Sequence, residues 1–111
     1  MAFTPYHNIT GSTGVDVELI APGENVGEIR SIMIANTHAT ADATVSLFIQ
    51  NDPTAKATST FYILSTVAIP SDSTLILDNP SVLSFNNSTP TSFGLYLTVG
   101  SSDTLDVMIN K

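Results

Sequence analysis

Apolar residues along this chain return at every second position, and that period commits it to extended strands. Val45, Leu47 and Ile49 alternate with Ser46 and Gln50, and Val15, Val17 and Leu19 alternate with Asp16 and Glu18. Phe93, Leu95, Leu97 and Val99 alternate with Gly94, Tyr96 and Thr98, and Leu105, Val107 and Ile109 with Asp106, Met108 and Asn110. Successive strand side chains point to opposite faces, so each run predicts one buried face and one wet face. No window of about 11 residues carries the period of an amphipathic helix.

Turn signals separate these runs at Gly11–Gly14, Ala21–Gly23, Asn36–Asp42, Asn51–Ser59, Pro70–Ser73 and Gly100–Asp103. Phe3–Thr10 reads as an edge strand or a tethered arm, because Pro5 has no N–H for a central ladder. Leu75 and Leu77 share a face in Thr74–Asp78, and Asn79–Ser92 is a long polar connection. It dips through Val82, Leu83 and Phe85, with room there for a short strand. About eight short strands without helices predict an all-β fold, an antiparallel β-sandwich or jelly roll. Residues 1–14 are expected to form the arm or edge strand, and residues 15–111 a single sandwich domain.

Composition narrows the function. Ten carboxylates face only Arg30, Lys56 and Lys111, for a net charge of −7. Neutralising phosphates needs clustered Lys and Arg, so nucleic acid is not an expected partner. An anionic membrane surface is disfavoured for the same reason, and no apolar run approaches the roughly 20 residues of a spanning helix. With no cysteine there is no disulfide, thiolate metal site or cysteine nucleophile. MAFTPYHNIT has neither a basic start nor an apolar stretch, so no secretory signal is read there. The chain reads as a soluble product complete from Met1.

Chemistry-bearing constellations are sparse, and no catalytic residue, metal ligand or cofactor is assigned. His7 and His38 are the only imidazoles, whereas a zinc site wants three or four convergent ligands. His38 with Asp42 and a serine would make a triad only by chance assortment, since no G-x-S-x-G elbow is present. Asp52, Asp72, Asp78 and Asp103 lie in or beside turns, where aspartate is a natural turn former, and no calcium loop concentrates them. Asn8-Ile9-Thr10, Asn86-Asn87-Ser88 and Asn87-Ser88-Thr89 fit the glycosylation sequon but carry little weight without a signal peptide.

What remains is an excess of grease. Ile29, Ile32, Met33 and Ile34 cannot all point one way, and Phe48 is apolar where its strand should be polar. In the next run Phe61, Ile63, Val67 and Ile69 alternate with Tyr62, Leu64, Thr66 and Ala68, again leaving both sides apolar. A second apolar face is expected at Ile32, Ile34, Phe48, Tyr62, Leu64, Tyr96 and Met108, as an oligomer or partner interface. The alternative is a deeper core or a slipped register, because one residue of slip exchanges the faces.

Longer motifs point the same way. PGENVGEIRSIMI (Pro22–Ile34) places a Pro-Gly turn before a strand, and an Asn-containing loop leads to TVSLFI (Thr44–Ile49). Ile69-Pro70 is followed by Ser73-Thr74-Leu75 and Leu77-Asp78, and FGLYLTVGSSDTLDVMIN (Phe93–Asn110) ends the pattern. This order resembles a broad set of small virion structural proteins of tailed bacteriophages. Relatives of that kind carry a short L-x-x-G-D-x-L turn where this chain has the longer, Asn/Ser/Thr-rich Val82–Gly94. The resemblance implies a non-enzymatic β-sandwich subunit on the particle exterior, made in the host cytoplasm, such as a capsid decoration protein. It implies assembly with itself, a trimer being favoured, and with the major capsid or another virion protein. Phe3, Pro5 and Tyr6 would then form an arm gripping the shell. A neck or tail accessory, or a fibre-type module binding a receptor or glycan through the Asn36–Asp42 and Asn79–Ser92 loops, is the alternative.

Overall fold

The structure is a computed structural model that describes residues 5–11, 16–51, 59–89, 92–100 and 103–111. Phe3, most of the Gly11–Gly14 turn and most of the Asn51–Ser59 loop lie outside the described residues.

Eight strands follow in order: β1 (Tyr6–Thr10), β2 (Asp16–Ile20), β3 (Ser31–Asn36), β4 (Ala43–Asn51), β5 (Thr60–Ile69), β6 (Thr74–Leu77), β7 (Phe93–Val99) and β8 (Thr104–Asn110). They form two antiparallel four-stranded sheets, sheet I in the order β1-β8-β3-β6 and sheet II in the order β2-β7-β4-β5. Consecutive strands alternate between the sheets except β4 and β5, which are neighbours in sheet II. First strand beside last, with this interleaving, is the order of an eight-stranded jelly roll. The sandwich predicted from period-two alternation is the fold observed.

The inward side chains of both sheets make one core. Ile32 and Ile34 of β3 and Val107 of β8 meet Val45 and Leu47 of β4 and Leu95 and Leu97 of β7, all essentially inaccessible to solvent. These are the alternating positions of their strands, so the pleat alone sorts them inward. The Asn79–Ser92 connection contains no strand among its described residues. Turns closed by Val82 N–H to the Asn79 carbonyl and Leu83 N–H to the Pro80 carbonyl instead lower Leu83 into the core.

Within its described part, the N-terminal segment is an edge strand rather than a free arm. Ile9 is buried opposite Leu105, and Ile109 N–H donates to the Pro5 carbonyl at 2.8 Å. Proline can accept there although it cannot donate, which suits it to the end of an edge strand.

Two buried asparagines fasten the ends of the sandwich. Asn36 Nδ2 donates to the Ala41 and Ile69 carbonyls at 2.9 and 3.0 Å, and its Oδ1 accepts His38 N–H at 3.0 Å. At the other end, Asn87 Nδ2 donates to the Ala21 and Phe93 carbonyls at 2.9 and 2.7 Å. Its Oδ1 accepts Val26 N–H at 3.2 Å. Each amide satisfies loop backbone groups that would be costly to bury unpaired.

Candidate functional site: apolar rows on the two outer faces

Strand register decides which apolar residues remain outside the core. Ile32 and Ile34 were expected on the second face, but both are wholly buried, opposite Leu77 and Leu75 of β6 and Ile109 and Val107 of β8. The outward residue of that run is Met33. Leu64 is also displaced from the expected face. Register shifts between Val45 and Leu47, and again between Leu47 and Phe48, leave extra residues in β5. They set Leu64 opposite Leu47 and packed on the core, while Tyr62 stays opposite Phe48. Thr66, with φ of 54°, lies at the first irregularity, and its N–H donates to Ser46 Oγ at 2.9 Å. Such bulges also disturb the free edge of β5, which would otherwise be open to further strand pairing.

Phe48, Tyr62 and Tyr96 do come together on the outer face of sheet II. Phe48 lies opposite Tyr96 on β7 and Tyr62 on β5, with ring centroids 5.8 and 5.2 Å away respectively. Phe48 and Tyr96 are both buried within the single chain, at 3% and 8% exposure, so that only Tyr62, at 59%, remains open to a partner in this row. Gly94, beside this row, makes space for it: a Cβ there would come within 2.6 Å of the Ile20 carbonyl oxygen and 3.1 Å of the Tyr96 ring. Asp16 and Glu18 of β2 border the row, Glu18 directly opposite Tyr96.

Met108 belongs to the other outer face. It lies opposite Tyr6 on β1 and Met33 on β3, and Met33 lies opposite Ile76 on β6. Tyr6, Met108, Met33 and Ile76 therefore form a continuous row across all four strands of sheet I. Its ends are open, Tyr6 at 68% and Ile76 at 56% exposure. Ile76 was legible as an outward position, since it stands between Leu75 and Leu77, which share a face; Met33 became so only once pairing turned Ile32 and Ile34 inward.

A third feature is a groove of about 500 Å³ between the β2–β3 loop and the β6–β7 connection. Asn25, Gly27 and Glu28 line one wall; Phe85, Asn86 and Ser88 line the other. Asn25 and Gly27 both have positive φ, and Asn25 N–H donates to the Asn87 carbonyl at 3.0 Å, which ties the walls together.

The histidines have other surroundings. His38 Nδ1 accepts the N–H groups of Thr40 and Ala41, each at 3.1 Å, and so orders its own loop. A triad histidine instead gives its Nδ1–H to a carboxylate. His7 lies in β1 opposite Val107. Among the described residues no three His, Asp or Glu side chains are grouped to hold a metal ion. Asp103 Oδ2 accepts Thr44 N–H at 3.1 Å, and Asp72 takes a positive-φ turn position, both ordinary turn roles. Asn87 is buried with its amide fully engaged, so its sequon is closed in the folded chain.

No protein-family model, curated protein or solved structure matches the chain.

Proposed function

We propose that this chain is a non-enzymatic structural subunit of a bacteriophage virion, a decoration or cement protein that assembles with itself, as a trimer, on the particle exterior. The observation that carries the reading is the pair of apolar rows on opposite outer faces. A bracing part must touch two kinds of neighbour, its own copies and the underlying capsid protein, and two separated adhesive faces suit that work. A standard interface removes about 800 Å² per partner from water; the sheet I row, open at Tyr6 and Ile76, and Tyr62 on sheet II are the apolar groups left to centre such patches. The acidic balance favours an exterior place away from packaged nucleic acid, since like charge repels the phosphate backbone. Eight-stranded jelly rolls recur in viral shells, which is analogy at the level of the fold and carries less weight than the rows.

Particles purified from cells carrying the gene test the reading. Mass spectrometry should find the chain in many copies per particle, and a cryo-electron microscopy map should place it outside the capsid. Intact particles lacking the chain would contradict it.

The groove favours a second reading, a receptor- or glycan-binding module of a tail or neck appendage. Its carboxylate, amides, hydroxyls and single aromatic ring suit a neutral polyhydroxylated ligand, and its volume falls in the range of ligand sites. A glycan array probed with the purified chain would support this reading by specific retention and oppose it by none.

A further inference from the structure

We propose that the outer face of sheet I is the surface on which copies of this chain pack against one another, a refinement that rests on the oligomer reading above. The row Tyr6–Met108–Met33–Ile76 crosses every strand of the sheet without interruption. Val82, itself 49% exposed, lines the same shallow depression as Ile76 and lengthens the row past the β6 edge. Methionines at its centre supply flexible, polarizable contacts that adapt to a facing copy.

Charge selects the occupant. At physiological salt, charges are screened beyond about 8 Å, so groups at the contact matter more than the net charge of −7. The outward strand positions of sheet I carry one charge, Asp106, whose Oδ1 accepts a hydrogen bond from Asn8 Nδ2 at 2.7 Å, and Asp78 lines the depression with Ile76 and Val82. Two of the chain's three basic residues, Arg30 and Lys111, stand at the end of this sheet where Arg30 N–H meets the Asn110 carbonyl. This face therefore offers a second copy both signs of charge rather than carboxylates alone. The aromatic row of sheet II has Asp16 and Glu18 beside it, a surrounding that opposes a second acidic copy and suits a partner bearing cations. One face directed at a symmetry axis closes the assembly, whereas joining the two opposed rows head to tail would build an open stack.

Four strands at about 4.8 Å spacing and six residues at about 3.3 Å give roughly 400 Å² of flat face. That is about half the area per partner of a standard interface, so the association should be concentration-dependent in the micromolar range.

Sedimentation equilibrium of the full chain from about 1 to 200 μM tests the proposal, alongside Ile76→Lys on sheet I and Tyr62→Lys on sheet II. Both sites are more than half exposed, and circular dichroism verifies that each variant keeps its sheets. Should Ile76→Lys not fold, Tyr6→Ser takes its place. The expected result is a wild-type oligomer weakened at least about tenfold by Ile76→Lys and unaffected by Tyr62→Lys. An oligomer lost in Tyr62→Lys but kept in Ile76→Lys overturns the assignment of faces while leaving the oligomer reading intact. A chain monomeric throughout overturns both. If that monomer binds purified particles and Ile76→Lys abolishes the binding, the face belongs to the capsid protein instead of a second copy.

Discussion

Phe48 is stacked on Tyr96 across β4 and β7, with centroids 5.8 Å apart and planes inclined by 21°, on the side of sheet II that faces away from the core. The pair divides the aromatic row into a part that stabilises the monomer and a part free for a partner. Phe48→Ala should cost about 3 kcal/mol in urea denaturation, a value ordinarily associated with core positions. Tyr62→Ala should cost less than about 1 kcal/mol, because most of that ring already lies in solvent. Equal losses from the two substitutions would remove this division.

The asparagine clasps should act independently. Along β4 their two ends are separated by about 26 Å of extended strand. Asn36→Ala and Asn87→Ala should each cost about 2–3 kcal/mol by leaving buried loop groups unpaired. The double variant should equal the sum within about 0.5 kcal/mol. A coupling above about 1 kcal/mol in that cycle would mean that the ends communicate through the core.

Thr66 is a β-branched residue held at positive φ. Thr66→Asn should keep the backbone N–H bond to Ser46 Oγ and tolerate that conformation better, raising stability by about 1 kcal/mol. Ser46→Ala should lower it by a similar amount, because the Thr66 N–H loses its acceptor. Chemical denaturation midpoints of the two variants should move in opposite directions.

Gly94 is constrained by packing rather than by φ. Gly94→Ala would set a methyl against the Ile20 carbonyl oxygen and the Pro22 ring, at 2.6 and 2.8 Å without relaxation. A loss of about 2 kcal/mol is expected, with altered Tyr96 fluorescence as that ring is pushed aside. Unchanged stability would place the strand farther from Pro22 than described.

The fold was legible because its signal is local. Period-two alternation located β2 and β4 to β8 with the inward residues of β4, β7 and β8, and marked Phe48 as the outward exception. β1 and β3, by contrast, were legible only as extended runs bounded by turn signals. The interface set was legible only in part. Phe48, Tyr62, Tyr96 and Met108 face outward, but on two opposite sheets, since pairing partners distant in sequence decide which strands share a face. Leu64 was misplaced because bulges in β5 shift the alternation, and a bulge leaves little trace in residue type. Ile32 and Ile34 were misplaced for a different reason: in a run of consecutive apolar residues, alternation does not say which parity is inward. The Asn36 and Asn87 clasps were missed because a buried amide and a loop amide look alike until the carbonyls they bind are in place.

The central claim is that a solitary copy leaves adhesive faces unfinished, and the mass of the full chain in solution tests it most directly. Sedimentation equilibrium at tens of micromolar should report a closed assembly, three times the 11.7 kDa of one chain for the trimer favoured here. A constant mass of one chain up to the highest concentration would contradict the account.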